Sequence, residues 1–276
     1  MDPAKTVLDH ILVDVRAALE AAKTKQPLRE LKARLPDAPQ ARPLSKALRQ
    51  KTFSLIAEIK AKSPSVGSMR PENQKAALPA YEACPAVSAI SILTNETHFG
   101  QGIDFLAKAR ERISKPILRK DFIVEEYQVV EARAFGSDAI LLMANVLDAA
   151  RLQGFYDLAR ELGMTALFEI HTEEELALLP TDAEIIGINS RKFKSQSGFV
   201  LGGKNSAQDF SINLSAFDLV KKLPPQTLRV AESGLDAGNV SGITEHFQAG
   251  LVGTSLLRDP RGVEAALNDF LKALPA

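Results

Sequence analysis

Between residues 8 and 19 the apolar positions Leu8, Ile11, Leu12, Val15 and Leu19 recur at the spacing of one helix face. A second helical stretch runs from Leu28 to Leu35 and stops at the proline-containing segment LPDAPQARP. Beyond it the pattern changes to short apolar runs, each followed by a helix-like segment. The runs are FSLIAEIK (53–60), VSAISILT (87–94), PILRKD (116–121), DAILLMA (138–144), TALFEI (165–170), EIIGINS (184–190), LRVAES (228–233) and AGLVGTS (249–255). Eight strand–helix repeats, most of roughly 20 to 35 residues, predict an α/β fold of the (β/α)8 TIM-barrel type over residues 49–276. Residues 1–48 are then an N-terminal helical extension packing on the barrel mouth. A doubly wound open sheet binding a dinucleotide would need G-x-G-x-x-G after a strand, and none of the runs is followed by it. One interval, about 37 residues between the sixth and seventh runs, breaks the rhythm with the Ser- and Gly-rich stretch KSQSGFVLGGKNSAQDFS (194–211).

Polar residues interrupt these runs near their C-terminal ends. Side chains alternate along a strand, so Ile56, Glu58 and Lys60 share one face. Facing the helix layer, Glu58 and Lys60 would be buried charges at heavy cost. Facing inward, they reach the C-terminal mouth, where barrel active sites lie. The third run ends in Arg119, Lys120 and Asp121, the fifth carries Glu169, and the sixth ends in Asn189 and Arg191. The seventh ends in Glu232, Ser233 and Gly234, and the eighth in Gly253 and Thr254. Solvated strand ends account for any one of these, but Glu58, Glu169 and Glu232 each lie inside an apolar run. The ESG and VGTS ends follow the two strands where such barrels often bind phosphate. Glycine lets backbone N–H groups approach an anion. Ser63 in KSPS adds a hydroxyl from the first loop.

Composition narrows the reading. Lys+Arg and Asp+Glu number 34 each, so charge gives no reason to expect a nucleic acid or an anionic membrane as partner. Cys84 is the only cysteine, which excludes an intramolecular disulfide and a thiolate metal cluster. The four histidines, His10, His98, His171 and His246, are not spaced as H-x-x-x-H. His171 abuts the Glu169 strand end and reads as a loop residue. The N-terminal stretch carries acids and amphipathic spacing, poor features for a signal peptide. No segment approaches the ~20 apolar residues of a membrane span. The expectation is a cytoplasmic enzyme or binding protein; the two glycine-containing strand ends point to a small phosphorylated ligand, and protein partners are unknown.

The motifs IAEIKAKSPSVG, ILTNETHFGQG, ILRKDFIVEEYQVVEARAFGSDAILLM, LFEIHTEEEL, IIGINSR, VAESG and LVGTSLLR resemble, in order, the strand-end motifs of the indole-3-glycerol-phosphate synthase family. The resemblance runs from about residue 50 to 260, and the family also carries helices before its barrel. It implies a lyase of tryptophan biosynthesis that needs neither cofactor nor metal and acts on 1-(2-carboxyphenylamino)-1-deoxyribulose 5-phosphate. The ring carbon bearing the carboxylate attacks the sugar ketone, CO2 leaves and dehydration forms the indole. Lys120 matches the lysine that protonates the ketone oxygen. Lys60 with Glu58 matches the acid/base pair of the dehydration, Glu169 is a further acid/base group, and Glu232 orients a lysine. Asn189 orients substrate hydroxyls, and Arg191 and Lys60 meet the carboxylate. Ser63, Ser233, Gly234, Gly253 and Thr254 hold the phosphate, and Phe99 and Phe122 match positions that clamp the anthranilate ring.

The chain departs from that pattern in three places. Asn95 replaces the usual Asp and Gly102 the usual Ser, and about 14 residues are inserted around Ser195–Gln208. The insertion is expected either to cover the aromatic-carboxylate end of the site or to be a surface excursion. It leaves open a paralogue acting on a modified anthranilate. Two other readings share part of the pattern. A Schiff-base aldolase also places a lysine on an interior strand, and a non-catalytic sugar-phosphate-binding barrel would keep the phosphate residues alone.

Overall fold

The computed structural model describes residues 7–191 and 214–275. The insertion around Ser195–Gln208 lies outside the described residues. Eight parallel strands close into a barrel: β1 (Ser54–Ile59), β2 (Val87–Leu93), β3 (Ile117–Lys120), β4 (Ala139–Met143), β5 (Thr165–Ile170), β6 (Ile185–Asn189), β7 (Leu228–Glu232) and β8 (Ala249–Val252). Each strand pairs with its neighbours in sequence, and β8 closes on β1. These are the eight runs read from the sequence. They are buried on both faces, which is why they read as near-continuous apolar segments.

Three α-helices precede the barrel: α1 (Val7–Lys25), α2 (Leu28–Arg34) and α3 (Leu44–Leu48). Helix α4 (Pro71–Ala83) follows β1, α5 (Glu96–Phe99) and α6 (Ile103–Arg110) follow β2, α7 (Glu126–Ala134) follows β3, and α8 (Ala149–Glu161) follows β4. The pattern thins afterwards. After β5 there is one turn, α9 (Glu173–Leu176), capped by Thr172 and followed by Pro180. After β6 and β7 the described segments are 3-10 turns, Leu214–Lys222 and Val240–Ile243, rather than full helices. The second follows a glycine- and Asx-turn-rich stretch in which Asp236 binds the amides of Gly238 and Asn239. Helices α10 (Thr254–Leu257) and α11 (Val263–Ala273) complete the chain. No helix among the described residues is long and apolar enough to cross a membrane.

Helix α1 uses the face that its periodicity predicts, burying Leu8, Ile11, Val15 and Leu19. Each such side chain contributes about 1.5–3 kcal/mol. Polar contacts fix its course across the loops that follow β2 and β3. Asp14 meets His98 at 3.0 Å, Lys23 meets Glu125, and Tyr127 donates to the Gln26 carbonyl at 2.8 Å. At the other end of the barrel, Asp138 ties the extension down. Fully buried, it accepts hydrogen bonds from the Arg42 amide and side chain, the Arg110 guanidinium and the Ile117 amide.

Register places the interior side chains. Glu58 aligns with Ser91, Leu93 with Lys120, Met143 with Glu169, and Asn189 with Glu232. In-register residues on neighbouring strands share a face, so Glu58, Lys120, Glu169, Asn189 and Glu232 all point inward near one end. Arg119 points the other way. It lies among the helices at 3 % exposure, and every face of its guanidinium is answered: Thr94, the Gln128 carbonyl, Asp121 and Glu131. The charge that the alternation sends outward is therefore a paired scaffold beneath Lys120.

Candidate active site

A cavity of about 450 Å³ opens at the C-terminal end of the barrel. Its walls include Glu58, Lys60, Ser63, Phe99, Lys120, Asn189, Arg191, Glu232, Ser233, Gly234, Gly253 and Thr254. Two predicted residues stand elsewhere. Phe122 is 5 % exposed and packs in the core, off the cavity wall. Glu169 lies behind Lys120, its side chain 1 % exposed, with Oε2 3.8 Å from the Lys120 ammonium.

The charged floor consists of two groupings. In the first, Lys60 donates to Glu58 at 2.5 Å. Burial alone would raise the Glu58 carboxyl. The nearby cations Lys60, Lys120 and Arg191 outweigh it and hold Glu58 below the usual carboxylate range. In the second, Lys120 stands 3.8 Å from Glu169 and 3.9 Å from Glu232. Burial acts to neutralise Lys120. Glu169, Glu232 and Glu58 prevail, so its ammonium is held above the ordinary lysine value.

Glu232 behaves oppositely. Burial first, and then the adjoining Glu169 carboxylate, push it well above the usual range against the pull of Lys120. The two carboxyl groups are within hydrogen-bonding reach of one another. No donor among the described residues hydrogen-bonds to any of their four oxygens. Burial and the adjoining carboxyl both favour the protonated form of Glu232. Glycine makes this packing possible. A Cβ at Gly187 would overlap Glu232 Oε1, and one at Gly253 would overlap Glu58 Oε1.

The other end of the cavity is backbone and hydroxyl. Ser233, at φ 69°, is the only non-glycine in the left-handed region among the described residues, and Gly234 follows at φ 73°. This turn aims the peptide after β7 at the cavity. Gly253 precedes the first turn of α10, whose leading amides have no intrahelical acceptor. Ser63 lies across from them on a small hairpin, Lys62–Ser63 against Gly67–Ser68. Arg191 reaches that hairpin, donating to Ser65 Oγ at 2.6 Å, and Ser65 Oγ lies 2.9 Å from Ser63 Oγ. Asn189 accepts the Arg191 amide at 3.0 Å.

Several contributors were not assigned to the site from the sequence. Ile11 of α1 lines the cavity, although its helical spacing marked only a core face. Ser65 lies inside the KSPS stretch that drew attention to Ser63. Ser190 donates to the Ser233 carbonyl at 3.1 Å and ties the β6 and β7 ends together. His171 read as a loop residue, yet its Nε2 stands 3.6 Å from Glu169 Oε1. Its position two residues past Glu169 was the available signal.

Comparison with known proteins comes at this point. The family model described as indole-3-glycerol phosphate synthase matches residues 8–269. The indole-3-glycerol phosphate synthase of Streptomyces griseus is 38 % identical over 268 residues, covering 95 % of this chain and 94 % of its own. That of Bacteroides thetaiotaomicron is 34 % identical over 273 residues, covering 98 % and 99 %. Among solved structures, 3-hexulose-6-phosphate synthase from Salmonella typhimurium aligns with a TM-score of 0.59 at 11 % identity, over 80 % of this chain and 98 % of that one. N-(5'-phosphoribosyl)anthranilate isomerase from Pyrococcus furiosus aligns with a TM-score of 0.51 at 12 % identity, over 80 % and 98 %. At such identities the structural likeness speaks to the barrel alone.

Proposed function

The chain belongs to the indole-3-glycerol phosphate synthase family, and from that premise we propose that it is a carboxy-lyase of tryptophan biosynthesis. It converts 1-(2-carboxyphenylamino)-1-deoxyribulose 5-phosphate to indole-3-glycerol phosphate, CO2 and water. The observation that carries this reading is the polarity of one cavity. Lys60, Lys120, Glu58 and Glu232 stand at its floor, and the backbone turns at Ser233–Gly234 and Gly253–Thr254, with Ser63, stand at its rim.

In this reading the phosphate sits against the rim amides and hydroxyls. The aromatic ring lies toward Phe99 and Ile11 of the N-terminal extension, its carboxylate toward Arg191 and Lys60. The ring carbon bonds to the ketone carbon, and Lys120 gives a proton to the oxygen as negative charge develops there. The bond to CO2 breaks, and its electron pair restores the ring. The hydroxyl left on the former ketone carbon then departs as water with a proton from Lys60, and the neighbouring carbon loses a proton to a carboxylate. Glu58 is the ionised partner of Lys60, Glu169 is the acid/base partner of Lys120, and Asn189 orients the sugar hydroxyls. Each positioned acid or base contributes about 10²–10⁴-fold. The site needs no cofactor in this scheme.

The acidic groups around Lys120, which hold its ammonium charged, weigh against a Schiff-base aldolase, whose lysine must be neutral to attack. The relatives carry the name of the primary synthase, which does not favour a modified anthranilate as substrate. The test is direct: the purified chain, given the carboxyphenylamino substrate, forms a fluorescent indole product. No product, or a covalent adduct trapped by borohydride with a keto-sugar phosphate, overturns the reading.

A further inference from the structure

His171 follows β5 directly, and its ring stands between two carboxylates. Nε2 lies 3.6 Å from Glu169 Oε1 and Nδ1 lies 3.3 Å from Glu175 Oε2. The same Glu175 oxygen accepts the His171 backbone N–H at 2.6 Å, so α9 sets the position of the ring. On the far side of Glu169 stands Glu232, with Lys120 nearly equidistant from the two at 3.8 and 3.9 Å. Lys120 therefore gives the pair no preference over which member carries a proton. His171 does, because it stands 3.6 Å from Glu169 and, among the described residues, makes no ion pair with Glu232.

We propose that His171, held by Glu175, is a positioning residue that breaks the symmetry of the Glu169–Glu232 pair, keeping Glu169 ionised and leaving the shared proton on Glu232. The proposal deepens the function given above and rests on it for the kinetic consequence. An opposite charge within a few ångströms favours the ionised form of a carboxyl group. Two carboxyl groups this close cannot both ionise cheaply, so a cation beside one of them decides where the proton resides. Among the described residues, the charges facing the imidazole include Glu169, Glu175 and Lys120. Burial and Lys120 oppose its protonation, while Glu175 and Glu169 favour it and prevail. The charges acting on Glu232 include Glu169, Lys120 and Glu58, and they leave it without a cation of its own. The arrangement assigns different roles to two chemically identical side chains: Glu169 is the ionised partner of Lys120, and Glu232 is a neutral hydrogen-bond donor.

Two measurements test this, one independent of turnover. By imidazole ¹⁵N NMR, the titration midpoint of His171 in the wild-type chain lies above the ordinary histidine value, and Glu169→Gln lowers it. A midpoint near the ordinary value that ignores Glu169→Gln overturns the proposal. In the second, His171→Asn moves the acidic limb of kcat/KM upward by about one pH unit. Turnover then falls by up to about tenfold on the acidic limb but less than about threefold on the plateau. His171→Lys restores the wild-type limb. Unchanged kinetics, or an equal loss at every pH that Lys does not rescue, means that His171 only supports the loop, and the proposal fails. If the wild-type chain makes no indole product, it is the functional reading that fails, and the NMR titration alone decides the charge assignment.

Discussion

Gly187 of β6 lies directly beneath the carboxyl of Glu232, so close that a Cβ on Gly187 would overlap Glu232 Oε1 and come within 3.3 Å of Leu167. The strand has no side chain where the buried acid needs its room. Gly187→Ala is therefore expected to displace Glu232 from its contact with Lys120. Overpacking of this kind costs about 1–3 kcal/mol. A denaturant midpoint and kcat should both fall, and an unchanged midpoint would show that the acid has other space to move into.

Lys120 is the cation that Glu169, Glu232 and Glu58 hold in its charged form. Lys120→Met keeps the stem and removes the ammonium. Indole formation is expected to fall by about 10²–10⁴-fold in kcat, with KM changed much less. Steady-state fluorescence of the product measures both. A loss confined to KM would make Lys120 a binding group and remove it from the ketone step.

The acid pair also makes stability depend on pH. The folded-state pKa of Glu232 is raised above its unfolded value of about 4.3. Across the window above that value the native chain binds more protons than the unfolded one, so this group's contribution declines as pH rises through it. Glu232→Gln removes the titration and keeps a donor. The variant's stability relative to wild type is expected to increase from pH 5 to pH 8. Glu58, held low, works in the opposite direction and loses its contribution on acidification. Urea titrations at both pH values check the sign, and a constant difference would mean that Glu232 does not titrate in that range.

Asp138 gathers Arg42 from the N-terminal extension and Arg110 from α6 on one fully buried carboxylate. Asp138→Asn leaves two guanidinium groups without their counter-charge and is expected to cost about 3 kcal/mol. Thermal unfolding measures it. Near-wild-type indole formation at low temperature would show that the damage is to stability rather than to the site, which lies at the opposite end of the barrel.

Much of the site was legible because apolar strands make charged residues conspicuous. Glu58, Lys60, Lys120, Asn189 and Glu232 break apolar runs at strand ends, and the closed barrel brings them to one cavity. Phe122 follows the same motif as Lys120 but packs in the core, because a Phe after a strand end suits a ring clamp and a core position equally well. Arg119 illustrates the converse. It neighbours Lys120 in the same strand end and is equally charged, but alternation across the strand turns it to the helix layer.

Period, alternation and the order of the runs were enough to specify eight strands, their direction, the face each turns inward and the end at which the charges gather. These are local properties, imposed by backbone geometry and by the cost of burying a charge. Which carboxylate is ionised is not local. Glu169 and Glu232 are the same residue type, each in an apolar run, and no pattern along the chain distinguishes them. The difference arises when barrel closure sets Lys120 beside both, Gly187 makes room for one, and His171 with Glu175 stands beside the other. Electrostatic energy depends on distance and burial, and folding brings residues far apart in the chain to within a few ångströms in a water-poor interior.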